Sequence, residues 1–197
     1  MTGVTSVAVV TGNGTSGAAD AGSASPGDNR GMAPHMNGDA EDLAQVVAEN
    51  AQQRGVTVAT AESLTSGQVA VHLGAAPGAG SWFAGGAVTY TVEAKQSALG
   101  VPEGMPVISD ECARIMAEGA ARLLGADCAV GVTGVGGPDR QEDQPVGTVF
   151  IAIHTPAGTT CEEHHFDGDP QEILDQTTLR ALQLLGAGLD DAERSRA

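Results

Sequence analysis

The chain has 197 residues, the length of one ordinary domain, so we expect a single catalytic or binding unit. Its 25 acidic residues against 9 basic ones give a formal net charge of −16, which repels phosphate backbones and anionic lipid headgroups. Nucleic acid and membrane surfaces are therefore excluded as favoured partners. A small anionic substrate stays open, because one cation and a few oriented N–H groups can reverse the local potential.

The cysteines and the N-terminus indicate a cytoplasmic protein. Cys112, Cys128 and Cys161 are odd in number and widely spaced, which predicts neither a disulfide framework nor a zinc site. The apolar run at residues 7–10 has no basic flank and is too short to span a bilayer. We therefore expect no export signal. We also expect no metal, since no cluster of His, Cys or Asp has the spacing of metal ligands, and no cofactor.

Three segments are predicted along the chain. Residues 1–38 are rich in Gly, Ser, Thr and Ala, with few large apolar residues, which is typical of a disordered extension. Periodic patterns begin at Asp39, which can cap a helix that ends at Gly55, and they define a domain over residues 39–189. Residues 190–197 are polar and are predicted to form a frayed tail.

Within this domain, helices alternate with short buried strands. β-Branched and small apolar runs predict strands over residues 56–60, 86–90, 128–132, 146–153 and 160–166. Helices are predicted from the segment after Ser63 to about residue 73 and over residues 91–99, 109–125 and 170–185. The alternation predicts an α/β layered domain, in which ligands bind at the carboxyl ends of the strands. An Ala- and Leu-rich helix face is compatible with a homo-oligomer.

Ser63 is the first candidate for chemistry, because it lies where the first predicted strand changes into a helix. Its hydroxyl can face a cleft while the N–H groups of the next turn point into the same space. The structural alternative is that Ser63 only caps the helix.

Lys95 is the only lysine of the chain and lies five residues after Tyr90, the only tyrosine. Lysine can lose its proton when it is buried, whereas arginine cannot, so Lys95 could serve as the base for a Ser63 nucleophile. None of the five histidines lies at the first three junctions between a strand and its loop. A surface lysine and a tyrosine that only fills a strand are the alternatives.

A glycine-rich turn follows the third predicted strand, with the sequence Thr133-Gly134-Val135-Gly136-Gly137-Pro138. It matches neither the Rossmann nor the P-loop spacing, yet it can expose several N–H groups to a phosphate or an oxyanion. Tight packing is the alternative reason for its glycines.

Taken together, these segments resemble the CinA C-terminal domain family in order and spacing over about residues 40 to 187. The matching segments are Thr60-Ala61-Glu62-Ser63, Ser81-Trp82-Phe83, Val88-Thr89-Tyr90, Glu93-Ala94-Lys95, Gly131-Val132-Thr133-Gly134, Gly137-Pro138 and Pro145-Val146-Gly147-Thr148-Val149. The resemblance implies a three-layer α/β/α sandwich around a mostly parallel or mixed sheet, without a metal. The chain lacks the larger N-terminal domain of the long members, so we expect a stand-alone form.

The resemblance also implies an activity, the deamidation of nicotinamide mononucleotide to nicotinic acid mononucleotide and ammonia. It identifies Ser63 as the nucleophile and Lys95 as the base, with Tyr90 at the same centre. Substrate contacts are expected from two loops, namely Glu62, Leu64, Thr65, Ser66 and Gly67 after the first strand and Thr133, Gly134, Gly136 and Gly137 after the third.

The chain departs from the family pattern at two places. Leu64-Thr65-Ser66-Gly67 stands where Cys-Thr-Gly-Gly is common, a change that keeps the backbone donors. Pro170 and Leu174 stand where many members carry arginines that are candidates for binding phosphate. Arg140 or Arg180 are the candidate substitutes. Two alternatives to nucleotide deamidation therefore stay open, a catalytically silent nucleotide-binding module and a serine amidase for a different small amide.

Overall fold

The computed structural model describes residues 8–10 and 36–194, with side chains described over residues 39–190. Five helices and six strands carry the fold. The helices are α1 (Met36–Arg54), α2 (Gln68–Ala75), α3 (Val92–Ala94), α4 (Asp110–Leu124) and α5 (Pro170–Arg194). The strands are β1 (Ala8–Val10), β2 (Val58–Glu62), β3 (Phe83–Val88), β4 (Cys128–Gly134), β5 (Thr148–Thr155) and β6 (Gly158–His165). A 3₁₀ turn covers Ala79–Ser81, and a π-helical turn, Lys95–Leu99, continues α3.

The strands form one mixed sheet in the order β1-β3-β2-β4-β5-β6. The central strand β2 pairs in parallel with β3 on one side and with β4 on the other, and the outer pairs are antiparallel. The carboxyl ends of β2, β3 and β4 therefore lie side by side at one edge of the sheet, which is where ligands bind in open α/β folds.

Helices cover both faces of the sheet. One apolar cluster joins α1, α2 and α5 to one face, through residues such as Val47, Leu73 and Leu185. A second cluster joins α4 and the π-helical turn to the other face, through Leu99 and Met116. The predicted three-layer α/β/α sandwich is confirmed. None of the helices in the described part of the chain is long and apolar enough to cross a bilayer.

Small residues let the layers approach closely, as the contact between α4 and β4 shows. A Cβ atom on Gly131 would overlap the backbone of Ala113 and Ala117 in α4. The chain has few aromatic residues to fill the space between layers. Close contact between the backbones of helix and sheet therefore gives the dense packing that larger side chains give in other cores.

Two predicted boundaries were wrong at the ends of the chain. Disorder was predicted over residues 1–38, yet Ala8–Val10 pair antiparallel with β3, and α1 begins at Met36 rather than at Asp39. The rest of that prediction lies outside the described residues. The frayed tail was predicted from residue 190, but α5 continues to Arg194 because Leu189, four residues after the buried Leu185, is also buried.

Candidate active site

Ser63 follows directly on the last residue of β2, at the edge where the three parallel strands end. Its N–H donates to the carbonyl of Val132 in β4, at 3.1 Å, which fixes the backbone of the loop at that point. Only 8% of the residue is exposed, and it lines a cavity. Ser63 is therefore held on a rigid strand end, with its side chain at the cavity wall.

Lys95 begins the π-helical turn after α3 and is only 2% exposed. Its Nζ lies 2.9 Å from Ser63 Oγ, and it donates to the carbonyls of Thr89 at 2.8 Å and Tyr90 at 3.4 Å. As an ammonium, Nζ donates to Ser63 Oγ and to both carbonyls. When the amine is neutral, its two hydrogens can be donated to the carbonyls, which leaves its lone pair for the hydroxyl of Ser63. The geometry suits proton transfer from serine to lysine.

Burial lowers the pKa of Lys95, because the charged ammonium loses its hydration there. Smaller Coulombic contributions from Cys112 and Glu142 act in the opposite direction. Among the described residues, no carboxylate forms an ion pair with Lys95 that would hold its proton. The burial of Lys95 therefore shifts its protonation equilibrium toward the neutral amine.

Tyr90 lies at the rim of the cavity, and 69% of it is exposed. Its backbone carbonyl contacts the amine of Lys95, whereas its hydroxyl makes no hydrogen bond to Ser63 or Lys95. The structure thus brings Ser63 and Lys95 together and leaves the Tyr90 side chain free to meet a bound molecule.

The cavity has a volume of about 320 Å³, within the range of small-molecule sites. Three neighbouring strand ends, the loop before α4 and the start of α5 enclose it. Its lining consists of Ser63, Leu64, Ser66, Tyr90, Val92, Lys95, Val107, Ile108, Thr133, Gly134, Val135, Gly136, Gly137, Asp139, Gln141, Pro170 and Leu174.

Six of the residues predicted to contact substrate line this cavity, namely Leu64, Ser66, Thr133, Gly134, Gly136 and Gly137. Thr133 also donates its hydroxyl to the carbonyl of Val107, at 2.6 Å, which ties β4 to the loop before α4. The N–H groups of Leu64, Gly136 and Gly137 have no acceptor among the described residues. They are therefore the donors available to an oxyanion.

Glu62, Thr65 and Gly67 were also predicted to contact substrate, but none of them lines the cavity. Glu62 is fully buried, and its carboxylate accepts hydrogen bonds from the N–H groups of Gly67, Val69 and Ala70 and from the hydroxyls of Thr60 and Thr65. Its negative charge satisfies the free N–H groups at the start of α2. Glu62 therefore holds the loop after Ser63 in place through these hydrogen bonds and does not line the cavity itself.

Replacing Glu62 with glutamine is expected to lower the free energy of unfolding by roughly 2–4 kcal/mol, because one acceptor oxygen becomes an NH₂ group that faces buried donors. Chemical denaturation at neutral pH measures this change. Glu49→Gln, at an exposed position of α1, is the matched control and should alter stability by less than about 0.5 kcal/mol. Equal stability of the two variants would contradict this role of Glu62.

Sequence reasoning singled out two positions of the far wall, Pro170 and Leu174, but did not predict that Val107, Ile108 and Gln141 also line the cavity. Pro170 and Leu174, where arginines are expected from the family pattern, form that wall. Neither candidate substitute lines the cavity: Arg140 donates to the carbonyl of Asp143, and Arg180 pairs with Glu162 at 2.7 Å. Asp139 also lines the cavity, and its position directly after the glycine turn was the available signal. No group of three His, Cys, Asp or Glu residues in the described part could hold a metal ion.

Comparison with protein families gives a match between residues 40–189 and the model of the CinA C-terminal domain. A CinA-like protein of Geobacter metallireducens is 42% identical over 153 residues, which cover 75% of this chain and 37% of that protein. A CinA-like protein of Frankia casuarinae is 42% identical over 148 residues, covering 72% and 34%. The chain thus spans about a third of the length of these relatives.

Solved structures agree with this match. A competence-damaged protein (CinA) superfamily protein of Klebsiella pneumoniae superposes with a TM-score of 0.74 at 31% identity, covering 77% of this chain and 98% of that one. The competence/damage inducible protein CihA of Agrobacterium tumefaciens gives a TM-score of 0.72 at 34% identity, covering 77% and 96%. The sequence resemblance and the fold lead to the same family.

Proposed function

The chain belongs to the CinA C-terminal domain family, and from that premise we propose that it is an amidohydrolase with Ser63 as nucleophile and Lys95 as base. The observation that carries this proposal is the distance of 2.9 Å between Lys95 Nζ and Ser63 Oγ at the wall of the cavity. A serine hydroxyl is a weak nucleophile until a neighbouring base removes its proton, and a buried lysine is such a base.

In each half of the reaction, the amine of Lys95 accepts one proton and then returns one. Neutral Lys95 takes the proton of Ser63 Oγ while that oxygen attacks the carboxamide carbon. When the tetrahedral intermediate collapses, the C–N bond breaks and protonated Lys95 gives its proton to the departing nitrogen, which leaves as ammonia. Water then attacks the ester on Ser63 and gives a proton to Lys95. The bond between the acyl carbon and Ser63 Oγ breaks, and protonated Lys95 returns the proton to Oγ, so that the carboxylic acid leaves and Ser63 and neutral Lys95 are regenerated.

The oxyanion of the intermediate is assigned to the N–H groups of Leu64 and of the glycine turn. The Ser63 N–H is already bonded to Val132, so it is unavailable for this purpose. Leu64, Gly136 and Gly137 line the same cavity and have free N–H groups. Donors fixed on a strand end and a tight turn stabilise a developing charge without reorganisation.

The substrate is proposed to be the carboxamide of a pyridine nucleoside or nucleotide. The family resemblance implies nicotinamide mononucleotide, from which the reaction gives nicotinic acid mononucleotide and ammonia. Tyr90, with its ring exposed at the rim, is proposed to contact the bound substrate.

A second candidate function is a nucleotide-binding module without turnover. It stands beside the first because Pro170 and Leu174 give the cavity an uncharged wall where the family pattern leads one to expect arginines, so the chain departs from the family at the cavity itself.

Incubation with nicotinamide mononucleotide and with its dephosphorylated riboside tests the amidohydrolase. We expect ammonia and the corresponding acid in equal amounts from at least one of them. Added hydroxylamine should divert part of the product to the hydroxamic acid, which is the signature of an ester intermediate. Binding of both compounds without ammonia release, even at high enzyme concentration, would establish the second function instead.

A further inference from the structure

The cavity beside Ser63 carries no cation that is free to meet an anionic substrate. Lys95 is the one basic residue among its lining residues, and its amine is buried and directed at Ser63 and two carbonyls. Asp139 adds a negative charge to the same lining. The rest of the described wall is apolar, uncharged or backbone.

The N-terminus of α5 borders this cavity through Pro170 and Leu174, and a helix N-terminus is ordinarily a place where phosphate binds. Here the chain's own carboxylates occupy it. Asp169 accepts from the N–H groups of Gln171 at 2.9 Å and Glu172 at 3.0 Å, and the carboxylate of Glu172 accepts from the N–H of Asp169 at 2.8 Å. This reciprocal capping box uses the donors and leaves two negative charges there.

Carboxylates also accept hydrogen bonds from N–H groups at two other places near the cavity. Glu142 accepts from the N–H of Ile108, at 3.0 Å, in the loop that lines the cavity before α4. At the start of α2, Glu62 takes three N–H groups. A phosphate group would therefore meet occupied donors and negative charge at the starts of α2 and α5 and in the loop before α4. The free N–H groups of Leu64, Gly136 and Gly137 are the ones assigned to the oxyanion.

We infer that the site selects a neutral or cationic carboxamide that carries no phosphate, and that it discriminates against the phosphorylated form. This inference rests on the proposed amidohydrolase function and narrows its substrate to a pyridine nucleoside or a free pyridine amide. Asp139, which has no hydrogen-bond or ion-pair partner among the described residues, is the group that would meet a pyridinium charge or a sugar hydroxyl.

Three probes share the reacting carboxamide and differ in charge. They are nicotinamide riboside, which is cationic, nicotinamide, which is neutral, and nicotinamide mononucleotide, which carries the phosphate. We expect kcat/KM for the riboside to exceed that for the mononucleotide by about 10-fold or more. Asp139→Asn should reduce the preference for the riboside over nicotinamide, and Leu174→Arg should raise kcat/KM for the mononucleotide alone. A mononucleotide turned over as well as the riboside by the unaltered chain would overturn the inference.

Calorimetric binding of the same probes to the Ser63→Ala variant keeps this test independent of turnover. Tighter binding of the riboside than of the mononucleotide supports the inference even when no amide is hydrolysed, and in that case only the proposed function fails. Equal or tighter binding of the mononucleotide, or binding of none of the three, would overturn the inference whatever the unaltered chain hydrolyses.

Discussion

Replacing Ser63 with alanine is expected to reduce ammonia release by at least about 10³-fold, because Ser63 has the one hydroxyl in the cavity lining that contacts the amine of Lys95. The fold should remain intact. The bond that fixes this position is donated by the backbone N–H of residue 63 to Val132, and alanine keeps it. Ammonia release under saturating substrate, with thermal unfolding recorded beside it, measures both effects.

Ser81→Ala is the matched control for this variant. Ser81 is exposed, and its hydroxyl donates to the carbonyl of Gly78, remote from the cavity. The control should retain the activity of the unaltered chain. Activity of Ser63→Ala above about a tenth of that of the control would exclude a covalent mechanism at this serine.

Replacing Lys95 with arginine or methionine is expected to lower kcat by about 10²- to 10⁴-fold, the usual contribution of a general base. Arginine keeps the positive charge but cannot give up its proton, whereas methionine keeps the apolar stem without the amine. The two variants together separate loss of a base from loss of a charge. If Lys95→Arg were as active as the unaltered chain, Lys95 would be a source of charge and not a base.

The kcat/KM of the unaltered chain is expected to rise with pH. Lys95 acts as a base only when it is deprotonated, and burial lowers its pKa. We therefore expect kcat/KM to rise with pH through this lowered pKa and then to level off at a lower pH than the titration of an exposed lysine would give. The Lys95→Met variant should lose this limb of the profile. An unchanged limb in that variant would assign the titration to another group.

The sequence was sufficient to predict the layered fold and to single out Ser63 and Lys95, whose side chains the structure brings into contact. Ser63 and Lys95 follow adjacent parallel strands, so the order of the elements alone brings them to one edge of the sheet. The uniqueness of Lys95 added a chemical reason to single it out. The strand order and the chemistry of lysine therefore both predicted the placement of Ser63 and Lys95 that the structure shows.

The supporting residues could not be predicted in the same way. Glu62 precedes the nucleophile in sequence, and this proximity suggested substrate contact. Its role depends on a left-handed turn at Ser66 and Gly67, which brings the N–H groups of α2 back to the carboxylate. The pairing of Ala8–Val10 with β3 joins segments far apart in the chain, a contact that no local pattern contains.

The most direct test of the Ser63–Lys95 mechanism is a titration of the lysine itself. Because the chain contains a single lysine, a protein labelled with ¹³C at the lysine Cε gives one side-chain resonance, which needs no assignment. The buried amine bonded to Ser63 predicts a midpoint clearly below the ordinary value of about 10.4. A midpoint at that value, unchanged in Ser63→Ala, would contradict the assignment of Lys95 as the base.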